Sequence, residues 1–253
     1  MLEICGLCAG YTGKPVLHEI DLSVPTGTVT VLLGPNGCGK STLLKALCGI
    51  LPVREGTVRL DGEGLLSLPP QQLAQKISYL AQGRQVPDIT VRRLVLHGRF
   101  PYLHYPRRYR EQDHLAAEAA MERLQISELA DTLLPNLSGG QRQKAYIAMA
   151  LAQDTPVILL DEPTTYLDVT HQLQMVRLVE SLREQGKTVV MVLHDLSLAM
   201  GVADQIVVMA DGAVEAVGKP EQLFADGCLE RVFGISVGRV QTESGWQYYY
   251  SVS

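Results

Sequence analysis

The chain has 253 residues, 46% hydrophobic and 19% charged, a balance that excludes disorder and suits one large α/β domain or two small ones. Its 22 Lys and Arg against 27 Asp and Glu give a net charge of −5, which argues against a dedicated nucleic-acid binder. No apolar run approaches the roughly 20 residues of a membrane span, and Met1-Leu2-Glu3 has no basic lead for an export signal. The five cysteines are therefore expected to be reduced thiols.

In chain order, Leu2 to Leu7 and Leu17 to Val24 read as strands separated by a turn at Gly10 to Lys14. Cys5 and Cys8 form a CxxC, but no second pair or His cluster follows, so they read as residues of the first strand. Val29 to Leu33 is an unbroken apolar run, the pattern of a strand buried on both faces. GPNGCGKST, Gly34 to Thr42, follows it and opens a helix predicted over Lys40 to Cys48. The spacing of Gly34, Gly39, Lys40 and Ser41 fits GxxxxGK[ST] in its proper strand–loop–helix context. Backbone N–H groups of such a loop, with Asn36, Gly37, Cys38 and Thr42, surround a β-phosphate at a helix N-terminus. Lys40 supplies charge to the β- and γ-phosphates, and the Ser41 hydroxyl a ligand for Mg²⁺, so ATP and Mg²⁺ are the expected ligands. A thiol at a helix N-terminus can be activated, and alkylation of Cys38 is expected to block ATP binding. Thr57 to Leu60 and Ile77 to Leu80 read as further strands. Gln82 follows the second, where an amide can touch both Mg²⁺ and an attacking water.

From Thr90 to Leu137 β signals vanish, and Ala116 to Leu124 is helical by propensity. This stretch reads as a helical subdomain inserted in an α/β frame. At its start lies GRFPYLHYPRRYR, Gly98 to Arg110, with four aromatics and four arginines. Aromatics interleaved with cations suit nucleic acid, a membrane surface or a protein partner, and the net charge disfavours the first. LSGGQRQ, Leu137 to Gln143, precedes a helix over Gly140 to Ala152, so Ser138, Gly139 and Gly140 form a second anion-binding helix start. VILLDEP, Val157 to Pro163, is an apolar strand ending in two acids. Asp161 can hold the Mg²⁺ hydration shell and Glu162 can polarise a water. Leu173, Val176, Val179 and Leu182 predict one apolar helix face. VLHD ends the buried strand Val189 to Leu193 and brings His194 level with the other strand ends. Val207 to Val217 reads as a hairpin about Asp211-Gly212, and Gly238 to Ser253 as an edge strand. Buried strands alternating with helices predict a parallel sheet covered on both faces.

The ordered set GPNGCGKST, LSGGQRQ, LLDEP and VLHD resembles the ATP-binding subunit of ABC transporters over essentially the whole chain. The resemblance implies an α/β P-loop NTPase (RecA-like) parallel-sheet core with an N-terminal antiparallel β subdomain and an inserted α-helical subdomain. Residues 1–84 and 141–253 would form the core and β subdomain, and 85–140 the helical subdomain. It implies that Tyr11 stacks on adenine, that Gln82 is the Q-loop glutamine, Glu162 the catalytic base and His194 the switch histidine. It also implies that Ser138, Gly139, Gly140, Gln141 and Asp168 act across a head-to-tail homodimer. The expected partners are transmembrane permease subunits and, indirectly, a periplasmic or surface solute-binding protein, with no nucleic acid; the expected place is the cytoplasmic face of the cell membrane. Thr165-Tyr166-Leu167-Asp168, where many members have SALD, and GRFPY resemble the subgroup serving iron-chelate, haem and cobalamin importers, ferric siderophore and ferric citrate types among them. Phe100 and Tyr102 would then help dock the permease. Soluble ABC ATPases of the DNA-repair kind carry a long coiled coil that the interval from Lys40 to Ser138 lacks. Those of the ribosome kind usually have two cassettes, and this chain has one. Glu162 and His194 together argue against a non-hydrolysing module.

Overall fold

The computed structural model describes residues 1–83, 86–165, 167–242 and 245–252. The expected boundary between residues 84 and 85, and the subgroup-marking Tyr166, fall outside the described residues. The chain opens with β1 (Leu2–Tyr11), β2 (Lys14–Val24), β3 (Val29–Leu33), α1 (Lys40–Leu47), β4 (Val53–Leu60), β5 (Glu63–Gly64), α2 (Pro70–Leu73) and β6 (Ile77–Leu80). The helices α3 (Val91–His97), α4 (Glu111–Arg123) and α5 (Gly139–Ala152) follow, with one 3₁₀ turn between α3 and α4 and two between α4 and α5. The chain then runs through β7 (Val157–Asp161), α6 (Val169–Glu184), β8 (Thr188–Val192), α7 (Leu196–Val202), β9 (Gln205–Ala210) and β10 (Ala213–Gly218). It ends with α8 (Pro220–Ala225), α9 (Cys228–Phe233), β11 (Ile235–Thr242) and β12 (Gly245–Val252).

A six-stranded sheet in the order β10-β9-β3-β8-β7-β6 forms the centre, parallel throughout except for the edge strand β10. Its central strands are almost wholly apolar because both faces are covered. Val29, Val31, Leu33, Ile158 and Leu160 enter one core with α3 to α6, whereas Leu32, Val157, Leu159 and Val190 enter a second with α1 and the antiparallel sheet. Each such side chain, fully removed from water, contributes about 1.5–3 kcal/mol. The antiparallel sheet, ordered β2-β1-β4-β5, docks against the first through the β9–β10 turn. There Asp211 and Gly212 both have positive φ, the geometry of a two-residue hairpin turn. A Cβ on Gly212 would sit 2.1 Å from Val16 O, so the approach of the two sheets requires glycine.

Three expectations are corrected. Leu173 is 53% exposed, and the buried face of α6 is Met175, Leu178, Val179 and Leu182. The buried stripe is turned about the helix axis from the expected one, sharing Val179 and Leu182 and replacing Leu173 and Val176 by Met175 and Leu178. The tail is no edge strand of the main sheet: β11 and β12 pair only with one another among the described residues and cover α7. The first strand continues to Tyr11, pairing with β2 across register shifts between Ile4 and Leu7, Leu7 and Ala9, and Ala9 and Gly10. Among the described residues no helix is long and apolar enough to cross a membrane.

Candidate functional site

The site lies where the carboxyl ends of four adjacent strands, β3, β8, β7 and β6, open onto one cavity of about 500 Å³. Asn36, Gly37, Gly39, Lys40, Ser41, Thr42, Gln82, Glu162 and His194 line it. The loop after β3 is shaped by close approach: a Cβ on Gly34 would sit 2.1 Å from Met209 O. Gly37, at φ 82°, leaves open space on its Cβ side, where a ligand can reach the backbone. Lys40 is buried, and its Nζ donates to Gly34 O at 2.6 Å and to Pro35 O at 2.9 Å. Cys38 is buried beneath the loop with Sγ 3.7 Å from Lys40 Nζ. Its burial shields the thiol, so the block of ATP binding expected on alkylation requires the reagent to enter the loop.

Asp161, the last residue of β7, is buried at 2% exposure. Its Oδ1 accepts from Ser41 Oγ at 2.8 Å and its Oδ2 from Tyr79 OH at 3.0 Å. A hydroxyl beside an ionisable carboxylate is the all-oxygen donor set that Mg²⁺ takes together with phosphate oxygens and water. No group of three or more His, Cys, Asp or Glu among the described residues could hold a metal unaided. Glu162, the next residue, has φ 50°, a left-handed conformation that costs a non-glycine residue about 1 kcal/mol or more. That turn brings its carboxylate back over the strand ends. Gln82 Nε2 donates to Oε2 at 2.5 Å, Thr165 Oγ1 donates to the same oxygen at 3.2 Å, and His194 Nε2 lies 2.5 Å from Oε1. A carboxylate only accepts, so the Nε2 facing it carries the proton. Three donors on about four lone-pair positions leave room for one water.

The other expected residues lie elsewhere. Tyr11 is exposed at the flank of the loop, where its hydroxyl accepts from Lys45 Nζ at 3.4 Å. Ser138, Gly139, Gly140 and Gln141 do not line the cavity. Ser138 and Gln141 close a reciprocal capping box at the start of α5, with bonds of 3.3 and 3.0 Å, and both are exposed. Gly140 packs toward Leu167, and Gln143 Nε2 donates to Pro163 O at 3.0 Å, so this helix start is tied to the segment after Glu162. Asp168 caps α6: its Oδ1 accepts from the His171 backbone N–H at 2.9 Å. That bond, with the His171 ring beside it, holds the Asp168 carboxyl below its ordinary range.

In the aromatic and cationic stretch, Arg99 is not a surface cation. It is buried, pairs with Asp113 at 3.1 Å, donates to Ala152 O at 2.9 Å and stacks over Tyr102. Tyr102 OH donates to Gln153 O at 2.8 Å, and its partial burial raises the phenol above its ordinary value. Phe100 and Tyr105 stay exposed. Tyr79 and Thr165, each bonded to a site carboxylate, escaped the sequence reading. The period-2 pattern of β6 puts Tyr79 on the face of Ile77, and that was the only available signal.

A family model described as ABC transporter matches residues 17–165. The probable siderophore transport system ATP-binding protein YusV of Bacillus subtilis is 42% identical over 91% of this chain and 84% of its own length. The ferric enterobactin transport ATP-binding protein FepC of Escherichia coli is 42% identical over 90% and 85%. A metal-chelate type ABC transporter solved in an inward-facing conformation is 26% identical, with a TM-score of 0.84 over 99% of this chain and 96% of that one.

Proposed function

The chain belongs to the ABC transporter family, and from that premise we propose that it hydrolyses ATP to power import of a ferric siderophore or related iron chelate through a membrane permease. The observation that carries the proposal is the convergence of two carboxylates with their partners in one cavity: Ser41 on Asp161, and Gln82, Thr165 and His194 on Glu162. In this reading backbone N–H groups of Asn36 to Thr42 receive the β-phosphate, and Lys40 turns from the loop carbonyls to the β- and γ-phosphates. Ser41, Asp161 and Gln82 would hold Mg²⁺, which when bound would offset charge on the phosphate oxygens. Glu162 takes the proton of the attacking water, while His194 and Gln82 fix the orientation of its carboxylate and meet the γ-phosphate. Tyr11 stacks on adenine.

The placement of Ser138, Gly139, Gly140, Gln141 and Asp168 outside the cavity supports their acting on the nucleotide of a second copy in a head-to-tail homodimer. The same family premise supports peripheral attachment at the cytoplasmic face of the cell membrane, on permease subunits that meet a solute-binding protein. It supports the division into core and β subdomain, residues 1–84 and 141–253, and helical subdomain, 85–140. The iron-chelate substrate is supported by the two relatives and by the metal-chelate neighbour.

Replacing Glu162 by Gln is expected to cut ATP turnover by about 10²–10⁴-fold and to leave nucleotide affinity within about threefold. Unchanged turnover rejects Glu162 as the base. Uptake of radiolabelled ferric catecholate, hydroxamate and citrate by vesicles containing the subunit with its permease tests the substrate; haem or cobalamin uptake alone would overturn the chelate assignment.

A further inference from the structure

A second cavity, of about 290 Å³, lies away from the phosphate loop, among the C-terminal end of α4, the middle of α5 and the exposed side of α6. Its floor is apolar: Leu124, Ile147, Met175 and Leu178 are all buried and all reach it. Its rim carries Arg123, Lys144 and Arg177, and among the described residues no carboxylate lines it. Among those residues, too, none of the three cations has a carboxylate within 4.0 Å. Arg123 bonds neutral groups, Ser181 Oγ at 2.5 Å and Gln185 Oε1 at 3.0 Å. His171, also at the rim, is already engaged by Asp168. A protein with a net charge of −5 thus gathers around one apolar hollow three cations that have no carboxylate partner among the described residues.

We propose that this cavity binds an amphipathic anion, a carboxylate, sulfonate or phosphate head carried on an apolar body of two rings or a short acyl chain. The head meets Arg123, Lys144 and Arg177, where Arg offers a planar fork for oxyanions and Lys a point charge. The body covers Leu124, Ile147, Met175 and Leu178. The volume sits at the lower end of small-molecule sites, and the mix of apolar floor and few convergent polar groups is what such sites share. Partial burial holds the Arg123 guanidinium below its ordinary value, and an anion beside it relieves that cost. The occupant bridges α4 to α6 and rests against Leu167, the residue packed on Gly140 at the start of α5.

The probe is 8-anilinonaphthalene-1-sulfonate, titrated into the full chain and read by fluorescence, with uncharged N-phenyl-1-naphthylamine as control. One saturable site per chain is expected, weakened at least tenfold by Lys144→Glu with Arg177→Glu and unchanged by Arg108→Glu, a substitution of an exposed arginine outside the cavity. The naphthylamine is expected to bind at least tenfold more weakly than the sulfonate. Should the double variant melt at a lower temperature than the parent, Arg177→Gln alone, on the solvent side of α6, carries the test with a loss of at least threefold. Equal affinity in parent and folded variant, or equal affinity for charged and uncharged probes, overturns the proposal.

Discussion

Burial sets the reactivity of single residues in ways that residue type does not reveal. Cys48, at the end of α1, donates its thiol to Leu44 O at 2.9 Å, and desolvation pushes its pKa up to about 12. The thiolate is the reactive form, so at pH 8 only about one part in 10⁴ of Cys48 is competent. Cys5 is exposed. Maleimide at pH 8 followed by peptide mass spectrometry is therefore expected to label the exposed Cys5 first and the half-buried Cys48 far more slowly. Labelling of Cys48 as fast as that of Cys5 contradicts its raised pKa. The same lesson applies at Lys40, Asp161 and Glu162. Their chemistry was legible because strand, loop and helix signals flanked them. Nothing local foretold that Lys40 folds back on Gly34 O or that Glu162 adopts a left-handed backbone, since both depend on contacts made by distant segments.

At the scale of elements, strands buried on both faces were the most legible. Apolar runs such as Val29 to Leu33 and Val157 to Leu160 are too short for a helix and lack the alternation of a half-exposed strand. Helix faces were less so, as Leu173 illustrates: α6 offers two overlapping apolar stripes, and periodicity alone does not say which one faces the core. Least legible was the role of Arg99. Its cation lies between Asp113 of α4 and the carbonyl that ends α5, and no local pattern predicts a buried arginine. Asp113 also accepts from the Arg110 backbone N–H at 2.9 Å, so one carboxylate fixes both the start of α4 and the segment before it. Removing one member of a buried pair leaves the other uncompensated, at about 3–5 kcal/mol. Urea unfolding of Asp113→Ala is expected to report a loss of that order. A change below about 1 kcal/mol would mean that water reaches Arg99.

For the whole molecule, the start of α5 does not line the phosphate-loop cavity, although Gln143 ties it to the segment just after Glu162. Ser138→Arg places bulk and positive charge at an exposed cap. It is expected to leave fluorescent ATP-analogue binding within about threefold and to abolish the ATP-dependent dimer of the Glu162→Gln variant, measured by light scattering after size exclusion. A dimer that persists refutes the head-to-tail arrangement. The helix between these regions has one more property. α5 has 14 residues, a rod of about 21 Å at 1.5 Å per residue. Its far end is clamped on several sides: Ala152 O accepts from Arg99, Gln153 O from Tyr102, and Gln153 Nε2 reaches Ala74 O and Ile77 O. A rod held so firmly at one end, and tied at its start to the segment after Glu162 through Gln143 and Pro163, moves that segment with it as a lever. A tilt of about 10° at the clamp, where the Phe100–Tyr102 turn meets solvent, carries Ser138 through roughly 4 Å, about the difference between a donor touching a phosphate oxygen and one separated from it by water.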